Sequence, residues 1–310
     1  MSFGAALRGR FGDRVLEHAP LAPLTTFRVG GPADCLVETR GAAEVLDALR
    51  LARAHGVPVT LLGGGSNVLI SDLGVRGLVV RPRGGVIEAA GDAAVRADAA
   101  VTINGLVRWL IGHGRSGLEA WAGTPGTIGG AIVGNAHFGG ALIGEHVVEV
   151  RLATPDGSAA DVAAAEMGFG YDRSRLQTSG EIVLSVLLRT GRGEPAALRA
   201  AARTSLAYRK RTQPLDAPSA GCIFQNPDPA RDRLPDGVPW SAGALVERAG
   251  LKGAAIGGAR VSPAHGNFIV NDGGATAAEI RALIDRCRET VARRFGVALR
   301  DEIVYLGSFQ

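Results

Sequence analysis

Fifteen residues constrain this chain more than any others: Trp121-Ala-Gly-Thr-Pro-Gly-Thr-Ile-Gly-Gly-Ala-Ile-Val-Gly-Asn135. Five are glycine, and none is lysine, arginine, aspartate or glutamate. Glycine lets a backbone turn through positive φ and bring its N–H groups against a ligand. Pro125 fixes one φ, and Thr127 is a good N-cap for a helix running into Ile128-Gly-Gly-Ala-Ile132. The first N–H groups of a helix have no intrahelical partner, so a start of this kind is expected to be an anion site. Upstream, Leu62-Gly-Gly-Gly-Ser-Asn67 follows the apolar run Val57-Pro-Val-Thr-Leu-Leu62. Consecutive N–H groups in such a turn form an anion-binding nest. Two nests in one chain suggest a ligand with a pyrophosphate and a large flat ring.

The nests sit in a pattern of strand, helix and strand. Cys35-Leu-Val-Glu-Thr39 alternates as a strand does, and Val45, Leu46, Leu49 and Ala52 make a helical face within 42–55. Val57–Leu62 and Gly77–Val80 are further strands. This is not the dinucleotide fingerprint of a Rossmann fold, because Val68 stands where the last glycine of GxGxxG belongs. From about residue 83 short β-runs and a helix over about 102–113 follow. Then come Val147–Leu152, a hairpin turn at Pro155-Asp-Gly157 and a buried strand over Glu181–Leu188. Gly191-Arg-Gly-Glu-Pro195 is the best linker. A basic helix spans about Ala196–Arg211. Ser241 caps a helix over 242–249, and Asn267–Asn271 is a strand. Thr276-Ala-Ala-Glu279 is a capping box. The helix it opens buries Ile280, Leu283, Ile284, Cys287 and Val291 and stops at Gly296.

Composition narrows the function. The net charge of +4 is mild and the basic residues are scattered, which speaks against nucleic acid and suits a small anionic substrate. Cys35, Cys222 and Cys287 have no CxxC spacing, so neither a disulfide framework nor a metal site is expected. No run approaches membrane-spanning length, and the expectation is a cytoplasmic monomer with no membrane insertion.

Seven segments in order carry a resemblance. They are Thr25–Ala33 with Arg28, Leu62–Asn67, Gly123–Ala131, Ser219–Pro227, Ala249–Gly253, His265–Asn271 and Leu299–Ile303. Together they resemble the MurB family of UDP-N-acetylenolpyruvoylglucosamine reductases. The resemblance implies an α+β fold: a two-subdomain FAD-binding region of the vanillyl-alcohol-oxidase type plus a smaller C-terminal α/β substrate domain. Residues 1–82, with a return strand over 299–310, and 83–192 would form the FAD-binding part, and 196–298 the substrate part. FAD would be held noncovalently by Arg28, Gly63, Gly64, Gly65, Ser66, Asn67, Gly123, Thr124, Pro125, Gly126, Thr127, Gly129, Gly130, Ala131 and Asn135. NADPH would be co-substrate, and UDP-N-acetylglucosamine enolpyruvate the substrate.

The family's proton donor is a serine, and here Cys222 takes its place. A thiol with an ordinary pKa of about 8.5 is mostly protonated at neutral pH, so the exchange is chemically tolerable. Glu302 matches the active-site glutamate. The family's Tyr-Arg-x-Ser reads Tyr171-Asp-Arg-Ser174 here, with the arginine one residue late. In extended chain that shift would turn it to the opposite face. A local turn would let Arg173 reach the site, and Arg175 is the alternative. His137 stands where the family more often has glycine and reads as a structural, hydrogen-bonded histidine. Tyr171, Asn226 and Lys252 are substrate contacts by motif, while Arg209 and Lys210 rest on charge, whose default is a solvated helix face. The competing readings are another FAD-dependent oxidase or dehydrogenase on the same fold and a catalytically silent FAD-binding homologue.

Overall fold

The computed structural model describes residues 2–309 apart from 155 and 156, so the hairpin turn expected at Pro155-Asp-Gly157 falls largely outside the described residues. Contacts sort the chain into two units. One gathers the chain up to His18, Asp34–Gly64 and Gly77–Tyr208; the other gathers Ala19–Ala33, Gly65–Arg76 and everything from Arg209 on.

The first unit is built on two sheets. One has the strand order Val15–Pro20, Pro32–Arg40, Val75–Arg83, Val59–Leu61, and its last pair is parallel. The other runs Ala159–Ala163, Val147–Ala153, Ile182–Arg189, Ala94–Asp98, Ile87–Ala89, antiparallel throughout. The helix Gly41–Ala54 serves both. Its i, i+3, i+7 residues share one face, and Ala48 and Ala52 join Val37, Leu78 and Val80 while Val45 joins Ala153 and Leu184. On the second sheet lies the helix Ile103–Gly112, started by Thr102, whose Oγ1 accepts from Gly105 N. Leu106 and Leu110 of that helix are buried in the unit's largest core, beside Trp121, Ile128 and Ile132. Each such leucine is worth about 1.5–3 kcal/mol. The glycine-rich stretch is therefore anchored by its apolar residues.

One expectation fails in this unit. Gly191–Arg192, read as a linker, pairs antiparallel with Arg115–Ser116. The helix Pro195–Thr212 then starts directly, with proline at the position where a missing N–H costs nothing. Glycine and proline mark breaks in side-chain pattern, but the main chain at Gly191 still completes a ladder.

The second unit packs the helices Ala242–Arg248 and Ala277–Phe295 with a three-stranded sheet of Ala255–Ile256, Ala259–Val261 and Ile269–Asn271. The capping box at Thr276 and Glu279 is present, and Gly296 ends the long helix at φ 69°. Asp72 reinforces that start, its two carboxylate oxygens accepting from Ala277 N and Ala278 N at 2.9 Å each. Cys287 is core, as expected, and burial pushes its thiol up to about 11. The final strand is shorter than the sequence suggested. Val304–Leu306 pairs in parallel with Val68–Ile70, and residues 300–302 make a different set of bonds, described below.

Candidate active site

The two glycine loops meet within the first unit. A Cβ on Gly64 would lie 2.6 Å from Gly126 Cα, and one on Gly63 would lie 2.7 Å from Thr127 Oγ1. Only glycine permits that approach. The sequence placed the anion-binding donors at the start of the helix Ile128–Val133, and this is corrected. Ile128 N donates to Val101 O at 2.8 Å, Gly129 N to Ala99 O at 2.9 Å and Gly130 N to Thr127 Oγ1. Neighbouring carbonyls from the turn after the strand Ala94–Asp98 have taken those donors, which a sequence pattern does not register. The N–H groups that bond to no described residue are those of Gly63, Gly64 and Gly65 in one loop and Gly126 and Thr127 in the other. Four of these donors, those of Gly63, Gly64, Gly126 and Thr127, lie on the two touching loops of the first unit and suit a diphosphate.

Asn104 holds the second loop in shape. Its Oδ1 accepts from Gly123 N at 2.7 Å and its Nδ2 donates to Thr124 O at 3.0 Å. Sequence reasoning missed it, since an asparagine on an amphipathic helix looks like ordinary surface. Pro125 is exposed on this loop, Gly130 opens to solvent and Ala131 is buried under it.

Beyond the helix the chain turns through Asn135, fully buried at φ 46°. Its Nδ2 donates to Gly170 O at 2.7 Å and its Oδ1 accepts from Gly144 N at 2.8 Å. Gly170 and Arg173 exchange main-chain hydrogen bonds of 3.0 and 3.1 Å across Tyr171 and Asp172. The segment is thus a tight turn, with Asp172 at φ 49°, and not an extended strand. Asp172 is buried at its tip, whereas Arg173 and Tyr171 are exposed. Arg175, the alternative arginine, is committed elsewhere. Its guanidinium grips Glu181 at 2.6 and 2.9 Å and reaches Glu166 O, which holds the Glu181 carboxyl below its usual range.

In the second unit the Cys222 and Glu302 segments are side by side. Glu302 N donates to Ile223 O at 2.8 Å, Gln225 N donates to Arg300 O at 2.8 Å, and Phe224 bridges Asp301. On the other edge Asn267 clamps the same segment. Its O accepts from Ile223 N, its Oδ1 from Phe224 N at 2.9 Å, and its Nδ2 donates to Phe224 O at 2.7 Å. Asn67 Nδ2 donates to Glu302 O at 3.1 Å, so the end of the first nest motif is tied to the glutamate segment. Cys222 and Glu302 are each half-buried.

Arg209 is also here, only 6% exposed, against the expectation of a solvated helix face. Burial brings its guanidinium down to about 10, with Cys222 acting in the opposite sense. Lys210, next to it, is exposed as expected. Arg28 is exposed at φ 58°, its N–H turned into Thr25. Gly65 packs against Leu24, a Cβ there falling 2.1 Å from Leu24 O. Ser66, in the same loop, is half-buried. Asn226 Oδ1 accepts from Ala242 N at 3.0 Å, and Lys252 pairs with Glu247 at 3.0 Å. Both of these are drawn into the helix Ala242–Arg248 and its end.

Residues 33–163 match the model of an FAD binding domain, and residues 213–306 match that of the UDP-N-acetylenolpyruvoylglucosamine reductase C-terminal domain. The chain is 40% identical to the UDP-N-acetylenolpyruvoylglucosamine reductase of Bacillus velezensis over 97% of each chain. It is 41% identical to reductase 2 of Symbiobacterium thermophilum, over 95% of this chain and 92% of that one. The crystal structure of the Thermus caldophilus enzyme superimposes with a TM-score of 0.78 at 32% identity, covering 94% of this chain and 98% of the other.

Proposed function

The chain belongs to the UDP-N-acetylenolpyruvoylglucosamine reductase family, and we propose that it reduces UDP-N-acetylglucosamine enolpyruvate to UDP-N-acetylmuramate for peptidoglycan precursor synthesis, with NADPH as electron source and noncovalent FAD as carrier. The observation that carries the reading is the bond between Glu302 N and Ile223 O, which sets a glutamate and a thiol, distant in sequence, on adjoining main chain. FAD, when bound, supplies hydride transfer, and the residues do the rest.

Gly63, Gly64, Gly126 and Thr127 hold the diphosphate through N–H groups that no described residue uses. Gly65, Ser66, Asn67, Gly123, Thr124, Pro125, Gly129, Gly130, Ala131 and Asn135 shape the surface around it, and Arg28 adds positive charge. Cys222 gives its proton to the carbon next to the substrate carboxylate. Its thiol is a stronger acid than the hydroxyl it stands in for, and buried Arg209 beside it favours the thiolate left behind. Glu302 steadies the same intermediate. Arg173, with Arg175 bound to Glu181, is the arginine of the turn left to face the substrate. Tyr171, Asn226 and Lys252 contact the substrate nucleotide. The FAD-binding part is residues 1–192 with the return strand over 299–310, and the substrate domain is 196–298, to which Tyr171, Arg173 and Glu302 add contacts from outside it. On this reading the protein works as a monomer in the cytoplasm; among the described residues no helix is long and apolar enough to cross a membrane.

An anaerobic experiment tests it. NADPH is expected to bleach the flavin of the purified protein, and UDP-N-acetylglucosamine enolpyruvate to restore the oxidised spectrum. Flavin that stays reduced in the presence of the nucleotide would refute the function, and flavin still attached to the denatured chain would refute noncovalent binding.

A further inference from the structure

We propose that the cleft between the helices Ile103–Gly112 and Pro195–Thr212 binds a fatty acid, its aliphatic tail lying on apolar side chains and its carboxylate held by three arginines. This site goes beyond the reductase reading and does not depend on it.

The cleft lies wholly in the first unit, which includes the second helix as far as Tyr208. Residues at i, i+3, i+4 and i+7 share a helix face. Asn104, Val107, Arg108 and Ile111 are such a set, and so are Arg199, Ala202, Arg203 and Leu206; both sets line the cleft. Val107, Ile111 and Ala202 are buried and Leu206 is half-buried, whereas the arginines are exposed. The result is an apolar floor with a cationic rim. Its walls are fixed, because Val107, Ile111, Leu198 and Ala202 share the unit's largest core and Ser205 Oγ donates to Ala120 O at 2.6 Å. The cavity measures about 510 Å³, within the range of about 300–1,000 Å³ that small-molecule sites occupy.

The charge on the rim is unbalanced. Neither helix contains an aspartate or a glutamate. Arg199 and Arg203 stand four residues apart on one helix face, where like charges repel. Arg108 adds a third cation from the other helix. None of the three makes a hydrogen bond or an ion pair with a described residue. Elsewhere helical arginines are balanced, Arg50 by Asp47 and both Arg281 and Arg288 by Asp285. An ordinary solvated basic face would carry such acids. An anion bound in the cleft relieves the repulsion instead.

The floor decides what kind of anion. Among the described residues Asn104 is the one neutral polar side chain that lines the cleft, and its amide is engaged at both ends by Gly123 N and Thr124 O. A base or a sugar would bury polar groups here without partners, a cost that a hydrocarbon does not meet. The head is a carboxylate, which guanidinium groups bind through paired N–H donors.

Calorimetry on the purified protein tests this, with laurate kept below its micelle concentration. One laurate is expected to bind per chain. A buried methylene is worth up to about fourfold in affinity, so octanoate should bind at least about tenfold more weakly. Dodecyltrimethylammonium, with the same tail and the opposite charge, should not bind. Arg108→Gln, Arg199→Gln and Arg203→Gln should each weaken laurate by about two- to fivefold, the scale of an exposed ion pair, and the triple variant by at least about tenfold. Arg203→Lys keeps the charge and should keep most of the affinity. Folding is no obstacle, since Arg199→Gln removes one of two repelling charges and should leave the ligand-free unfolding midpoint no lower than the parent's. Absence of laurate binding would overturn the proposal, as would octanoate binding as tightly as laurate or a triple variant binding laurate as the parent does. Binding to phosphatidylglycerol vesicles without binding of monomeric laurate would also overturn it, by assigning the face to a membrane surface.

Discussion

Asn267 offers the sharpest link between fold and site. Its side chain is the partner of both the N–H and the C=O of Phe224, at 2.9 and 2.7 Å, in buried surroundings. Phe224 is 2% exposed and Asn267 4%, so water does not replace an amide that is removed. Asn267→Ala leaves two buried main-chain groups unsatisfied at about 1–3 kcal/mol each, or about 2–6 kcal/mol together. That is a large part of the stability of an ordinary domain, about 5–15 kcal/mol. It also unpins the segment carrying Cys222, whose other edge is held by Arg300 and Glu302 main chain. Urea unfolding followed by tryptophan fluorescence should show the lower midpoint. Turnover measured well below that midpoint should fall as well, because the thiol is no longer held. Asn267→Asp is a poor rescue, since a second acceptor then faces Phe224 O. An alanine variant within about 1 kcal/mol of the parent and of equal turnover would refute the reasoning, because it would mean that Phe224 finds other partners.

The two glycine loops, the capped helices and the order of strands were legible in the sequence because each depends on local chemistry. Thr127, Ser241 and Thr276 all cap the helices that their positions announced. The Cys222 and Glu302 motifs were legible through the resemblance, but their adjacency was not, since it lies in main-chain bonds between segments far apart. The same limit hid Asn104 and Asn267, whose work is done by side-chain amides against distant backbone. It misplaced the anion donors as well, because the helix start looks vacant until Ala99 and Val101 carbonyls arrive from the turn after the strand Ala94–Asp98. Asp172 and His137 were each legible as a departure from the family pattern. That the two departures are one contact, His137 Nδ1 to Asp172 Oδ1 at 2.8 Å, needed the turn at Gly170 and Arg173, which no periodicity signals. Arg209 was misread because helix position and charge suggest a surface, whereas burial depends on what the helix packs against.

The remaining tests address the site and the surface. Cys222→Ser should keep substantial turnover, while Cys222→Ala should slow only reoxidation of the flavin, by about 10²–10⁴-fold; equal turnover in the alanine variant would remove the thiol from the mechanism. Arg173→Ala should impair turnover more than Arg175→Ala, whose loss releases Glu181 and shows mainly as lower stability; the reverse order of turnover would move the role to Arg175. Glu44 supplies a pH test with a definite sign. Arg14 hydrogen-bonds both its carboxylate oxygens at 2.6 and 2.8 Å, and chiefly for that reason its carboxyl is lowered to about 2. A carboxyl whose folded value lies below its unfolded value of about 4.3 favours the folded state once it is ionised in both. That contribution is complete above the unfolded value and drains away as pH falls from about 4.3 toward 2. Glu44→Gln should therefore lower the unfolding midpoint at pH 7, and the gap to the parent should shrink through that acid window. A gap that stays constant down to pH 2 would show that Glu44 acts through packing and that the Arg14 charge has no part in it.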